Sequence, residues 1–146
     1  MGDLAQLIAT LAAGLWAGAS AYISVVEHPA KLQLGIEFAT EYFRPMARRA
    51  APTMIVLALV GAGAGCIAWA AGGSLFWLIG GAVLAAMLPL TAIFIVPTNR
   101  KLMVVNALES SDDAAALLAR WGRLHAVRTI LGFVSFLLFV WTLTKA

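Results

Sequence analysis

Charge is what this sequence has least of. Asp, Glu, Lys and Arg make up 12% of its 146 residues, against 62% hydrophobic, and the mean hydropathy is +0.93. Soluble domains are closer to about a quarter charged and about half apolar. The scarcity is also localised, since no charged side chain occurs at positions 4–26, 50–99 or 129–144. These absences exclude a soluble enzyme and a disordered chain, and a net charge of +3 is no basic surface for nucleic acid. Cysteine is nearly absent too. The single Cys66 has no intrachain disulfide partner and no second thiol for a metal site. Its place in the middle of an apolar run reads as a small core residue. Only two histidines occur, so any chemistry rests on few side chains.

What the chain has instead is long apolar runs. A hydrocarbon core about 30 Å thick takes roughly 20 helical residues, and the run 4–26 supplies one crossing. Its leading Met1-Gly2-Asp3 carries no positive side chain, so it reads as an uncleaved span rather than a secretory leader. The run 50–99 is too long for one crossing and contains Gly72-Gly73-Ser74 near its middle. That turn signal divides it into spans at about 51–71 and 75–96. The last span, about 126–144, belongs to a longer helix. Ser110-Ser111-Asp112-Asp113 supplies N-cap hydroxyls and first-turn carboxylates for its start. Lipid cannot satisfy an open backbone, so all four spans are predicted to be helical. The expected fold is an all-α integral membrane four-helix bundle, one domain over 1–146, with the lipid bilayer as its first partner.

Basic residues set the expected orientation. Lys31, Arg44, Arg48 and Arg49 lie between spans one and two, and Arg100, Lys101, Arg120, Arg123 and Arg128 between three and four; only Lys145 lies on the other side. Nine of ten on one side puts both long loops in the cytoplasm and both termini outside a cell membrane. In the first loop, Leu34, Phe38 and Tyr42 recur at helical spacing while Glu37, Glu41, Arg44 and Arg48 line another face. The segment 34–49 is therefore predicted to be an amphipathic interfacial helix, broken near Pro45. Gly14 with Gly18 and Gly61 with Gly65 form small-xxx-small patterns for close packing inside the bundle, or for a homo-oligomer contact. Trp77 and Trp141 are expected in the outer aromatic belt.

With this layout the polar residues gather at one leaflet. Span one ends in Glu27-His28-Pro29, span three in Pro97-Thr98-Asn99-Arg100-Lys101-Leu102, and span four is preceded by Trp121-Gly122-Arg123-Leu124-His125-Ala126-Val127-Arg128-Thr129. At about 100° per residue, Trp121, His125, Arg128 and Gly132 share one stripe, with Arg123 nearly opposite. On span one, Ala21, Ser24 and His28 continue the stripe of Gly14 and Gly18. Arg44, Arg48, Arg49, Lys101 and Lys145 read as interfacial anchors. Glu27, His28, Thr98, Asn99, Trp121, His125 and Arg128 form the candidate site, with a structural hydrogen-bond network as the plain alternative. No charge is expected deep in any span, which argues against ion translocation.

The Pro97-Thr98-Asn99 segment and the Trp121…His125-Ala126-Val127-Arg128-Thr129 segment resemble the anthrone oxygenase-like family of small four-span membrane proteins. The likeness extends to length and span layout. It implies oxygenation of a lipophilic polycyclic phenol of anthrone type to a quinone by molecular oxygen, with no cofactor and no metal. In those roles His125 is the base, Arg128 and Asn99 stabilise the oxyanion, and Trp121 stacks on the substrate; Glu27, His28 and Thr98 are expected as further binding residues from their place at the same leaflet, not from the resemblance. Two other readings stand beside it. One is a redox protein in which His28 and His125 hold haem or contact a quinone; the other is a non-enzymatic membrane assembly partner.

Overall fold

The computed structural model describes residues 1–145. Four helices account for nearly all of them: α1 Gly2–Gln33, α2 Ile36–Ala70, α3 Leu75–Val104 and α4 Ser111–Leu143. Each is long and apolar enough to cross a membrane. At about 1.5 Å per residue they measure roughly 45–53 Å, so each extends beyond an apolar layer of about 30 Å. Their connections are short. Gly35, at φ 103°, begins α2, and Gly72, at φ 91°, turns the chain into α3, a conformation that suits glycine. Ser74 caps α3, its Oγ accepting from the Phe76 amide at 3.4 Å. Before α4, Asn106 Oδ1 accepts from the Leu108 amide at 3.1 Å.

Each helix packs on its sequence neighbours and α4 closes the ring against α1, while the diagonal pairs scarcely meet. Alanine and glycine make this closeness possible. Near the Gly72 turn, Ala5, Ala9 and Ala13 of α1 pack with Ala62, Ala64 and Ala68 of α2 around Trp77, Leu84 and Phe139. A second core at the opposite end gathers Ile23, Ala39, Phe43, Ile95, Leu102, Leu118 and Trp121. Trp16, Met54, Ala58 and Met87 lie between the two. A Cβ on Gly14 would meet Phe136 at 2.9 Å, one on Gly61 Leu84 at 2.6 Å, and one on Gly65 the Trp77 carbonyl at 2.8 Å. Those three glycines are filled from within the chain, whereas Gly18 faces open space.

Several local expectations are corrected. Trp77 is buried and stacks on Phe139, with centroids 5.2 Å apart, because Gly80 leaves room for the Phe139 ring between α3 and α4. Trp141, by contrast, is exposed. Cys66 is exposed rather than in the core, one step round from Gly65, which takes the inner face. The amphipathic segment is not broken at Pro45. It continues as α2 through Pro45 and Pro52, since the carbonyls each proline frees, those of Glu41 and Arg48, are at exposed positions. Buried Phe43 and Met54 hold the helix on either side.

Two π-helical turns interrupt otherwise regular helices, Ile23–Glu27 in α1 and Thr91–Ile95 in α3. Each is followed two residues later by a proline, Pro29 or Pro97. Proline lacks the amide hydrogen and its ring presses on the carbonyl four residues back, and a widened turn relieves that conflict. Such turns recur at functional sites. Here both border one cavity.

Candidate functional site

A cavity of about 330 Å³ lies inside the bundle between the two π turns. That is within the range of roughly 300–1,000 Å³ found for small-molecule sites. Trp16 and Ile23 come from α1, Ala47, Ala50, Met54 and Ala58 from α2, Met87, Thr91, Ile95 and Asn99 from α3, and Trp121, His125 and Arg128 from α4. Its walls are mostly apolar, and its polar groups converge from α3 and α4. Ala51, Ile55 and Ala92 also line it and are exposed, so its mouth opens sideways between α2 and α3 through a rim without a charge.

The inner stripe of α4 builds the polar wall. Gly132 is buried at its upper end, where a Cβ would collide with the Trp16 ring. Trp16 therefore lies flat across α4, and its Nε1 donates to the Met54 carbonyl at 3.1 Å, joining α1 to α2. One turn below, the Arg128 guanidinium carbon sits 5.2 Å from the Trp16 ring centroid, a cation–π contact. Arg128 Nη1 donates to Thr91 Oγ1 at 3.4 Å, and Nη2 lies 3.0 Å from His125 Nε2. On the far side of the imidazole, His125 Nδ1 is 2.9 Å from Ser24 Oγ. Ser24 Oγ is in turn 2.9 Å from Thr129 Oγ1. Thr129 Oγ1 donates to the His125 carbonyl at 3.0 Å, with the Ser20 carbonyl at 3.3 Å.

Trp121 forms the floor. Its indole stacks on His125 with centroids 4.7 Å apart and planes 27° from parallel. It also meets His28 at 5.1 Å and the Phe43 ring edge-on at 5.4 Å. Gly122 makes the His28 contact possible, because a Cβ there would come within 2.6 Å of the imidazole Nε2. Lys31 lies beneath, only 3% exposed. Its Nζ is 5.0 Å from the Trp121 centroid, 5.7 Å from Tyr42 and 5.7 Å from Phe43. Among the described residues its one ion pair is with Glu27, at 3.9 Å across one helical turn.

Of the residues singled out in the sequence, Asn99, Trp121, His125 and Arg128 line this one cavity. Thr98 is buried beside it without lining it. Glu27 faces an adjoining groove between α1 and α2, which shares Ile23, Met46, Ala50 and Met54 with the cavity. His28 stands behind Trp121. A haem held between His28 and His125 is not compatible with this arrangement, since the Trp121 ring packs against both imidazoles. Among the described residues there is no cluster of three or more His, Cys, Asp or Glu. The absence of deep charge is also corrected, because Arg128 reaches the level of Trp16, near the middle of the first span.

Trp16, Thr91, Ser24, Thr129 and Lys31 were not among the predicted site residues. Ser24 had a signal, sharing the α1 stripe with His28, and Thr129 stands four residues after His125 on α4. Trp16 and Thr91 carried none beyond a tryptophan and a threonine in apolar runs. Lys31 stood out in the sequence only as one of the basic residues that set the orientation.

These features define a small multi-pass membrane protein built around an internal, laterally open cavity. Residues 42–138, well over half of the chain, match the family model described as anthrone oxygenase, and the chain belongs to that family. The match includes Asn99, Trp121, His125 and Arg128 and leaves out Trp16, Ser24 and Glu27. No curated protein and no solved structure matches the chain.

Proposed function

We infer that this chain is a membrane-embedded oxygenase that converts lipophilic, anthrone-type polycyclic phenols to quinones with molecular oxygen. One observation carries the reading: a cavity of about 330 Å³ brings an imidazole, a guanidinium, a carboxamide and an indole face together inside otherwise apolar walls. A flat phenolic ketone needs an apolar slot for its rings and polar partners for its oxygens. Trp121 offers a ring face. Arg128 and Asn99 stabilise the substrate oxygen as it gains negative charge. His125 Nε2 takes a proton from the activated methylene carbon. The resulting delocalised anion gives one electron to oxygen, the radical pair forms a carbon–oxygen bond, and the hydroperoxide loses water as the second carbonyl forms. One oxygen atom enters the quinone and the other leaves as water.

The rim of Ala51, Ile55 and Ala92 supports loading from the bilayer, where such a substrate partitions. The nine-to-one distribution of basic residues supports cytoplasmic placement of the end that carries Trp121 and Lys31. His28 and Glu27 serve in this scheme as supports behind Trp121, not as ligands to the substrate. The test is an assay of 1,8-dihydroxyanthrone oxidation by purified protein in detergent. Catalysed quinone formation that disappears in His125→Ala is the expected result. No catalysis by the parent, or an unchanged rate in the variant, overturns the reading.

A further inference from the structure

The hydrogen bonds around His125 run in one direction only. A guanidinium has donors and no acceptor, so at 3.0 Å Arg128 Nη2 requires a lone pair on His125 Nε2. The imidazole is then neutral, and its proton is on Nδ1, donated to Ser24 Oγ at 2.9 Å. Ser24, having accepted there, turns its own hydrogen to Thr129 Oγ1 at 2.9 Å. Thr129 donates to helix carbonyls, those of His125 at 3.0 Å and Ser20 at 3.3 Å. A donor-only group closes one end of the series and acceptor-only groups close the other. Both ends impose the same polarity.

We propose that Ser24 and Thr129 are positioning residues that lock His125 in its Nδ1–H tautomer, and that Arg128 masks the Nε2 lone pair until a ligand oxygen draws the guanidinium away. Burial favours the lock. His125 is 2% exposed and Thr129 8% exposed, so an unpaired Nδ1–H would meet little water. Such an orphan costs the desolvation of the donor with nothing in return, which holds the ring in one orientation. The mask is the more weakly bonded part. Arg128 is partly buried, and its Nε has no hydrogen-bond partner among the described residues. Its other polar contact, to Thr91, is long at 3.4 Å. One movement of Arg128 toward a ligand oxygen thus supplies a cation and uncovers a base. The lock stands on geometry alone, whereas the unmasking rests on the oxygenase reading given above.

The experiment is nitrogen-15 NMR of histidine-labelled full-length protein in detergent micelles. With only two histidines in the chain, His28→Gln assigns the signals. The parent is expected to show His125 as a single neutral tautomer, protonated at Nδ1 and bare at Nε2. An Nε2–H tautomer or an imidazolium at neutral pH overturns the proposal. Ser24→Ala is expected to bring in a second ring population and Ser24→Thr to restore the parental spectrum; identical spectra for Ser24→Ala and the parent remove Ser24 from the positioning role. Thr129→Val gives the same readout if Ser24→Ala does not fold. Adding 1,8-dihydroxyanthraquinone, the quinone product of the assay substrate and without a methylene to deprotonate, is expected to shift the Nε2 resonance without moving the proton from Nδ1. Binding with no Nε2 shift overturns the unmasking. Failure of the quinone to bind counts against the oxygenase reading and leaves the tautomer result standing.

Discussion

Arg128 and His125, three residues apart on α4, meet head-on, with Nη2 of the first 3.0 Å from Nε2 of the second. The contact places a permanent cation beside a neutral base inside an apolar bundle, and Trp16 and Trp121 cover the pair from above and below. Neither residue is replaceable by a group of similar size alone. Lysine at 128 would keep the charge and lose the planar fork that reaches Thr91 and His125 together.

Arg128→Lys is therefore expected to behave much like Arg128→Met in catalysis. Loss of an oxyanion-stabilising donor typically lowers kcat by about 100–1,000-fold. Steady-state kinetics with 1,8-dihydroxyanthrone in micelles check this, and a lysine variant with parental kcat would contradict it.

The lateral rim gives a second prediction. Ala51 and Ala92 are exposed at the mouth between α2 and α3, so a large side chain there narrows the opening without disturbing the core. Ala51→Trp with Ala92→Trp is expected to raise KM by at least about tenfold, which corresponds to about 1.4 kcal/mol, and to leave the unfolding temperature within a few degrees of the parent. Unchanged KM in the doubly substituted protein would place the entrance elsewhere.

Packing at Gly132 yields a third. Its missing Cβ is what lets the Trp16 ring cross α4, so Gly132→Leu forces Trp16 out of place. Overpacking of this kind costs about 1–3 kcal/mol. The variant is expected to unfold earlier on heating in detergent and to lose turnover, because Trp16 no longer supports Arg128. A parental melting temperature would show that the two helices separate easily at this level.

Lys31 and Glu27 provide a fourth. Lys31 is nearly enclosed by aromatic rings, and it pairs with Glu27 at 3.9 Å. Removing one partner of a buried pair strands the other, whereas replacing both with apolar groups is often neutral or stabilising. Glu27→Leu is expected to lower thermal stability, and Glu27→Leu combined with Lys31→Met to recover most of the loss. A double variant no more stable than the single one would contradict the pairing.

The four helices were legible because each has a charge-free run flanked by turn signals, and lipid leaves a helix few alternatives. The α4 side of the site was legible for a similar reason: a helical stripe carries Trp121, His125, Arg128 and Gly132 by spacing alone. What the stripe could not give is depth. Arg128 was assigned to the leaflet edge because it closes the charged segment, but the contact with Trp16 depends on how far α4 slides along α1. Lys31 was hidden for a related reason, since its burial comes from Tyr42, Phe43 and Trp121 on two other helices. Trp77 and Cys66 exchanged their expected surroundings because the inner face of each helix is set by where Gly65, Gly80 and Gly81 admit a neighbour. The π turns had a trace in Pro29 and Pro97, but proline predicts a kink more readily than a widened turn.

The most direct test of the central claim is oxidation of 1,8-dihydroxyanthrone under oxygen-18 gas by parent protein and His125→Ala, with the quinone analysed by mass spectrometry. Catalysed formation of quinone carrying one labelled atom, falling by at least about 100-fold in the variant, is the predicted result. Quinone formed no faster than without protein, or formed equally fast by His125→Ala, would contradict the assignment of this cavity as the reaction site.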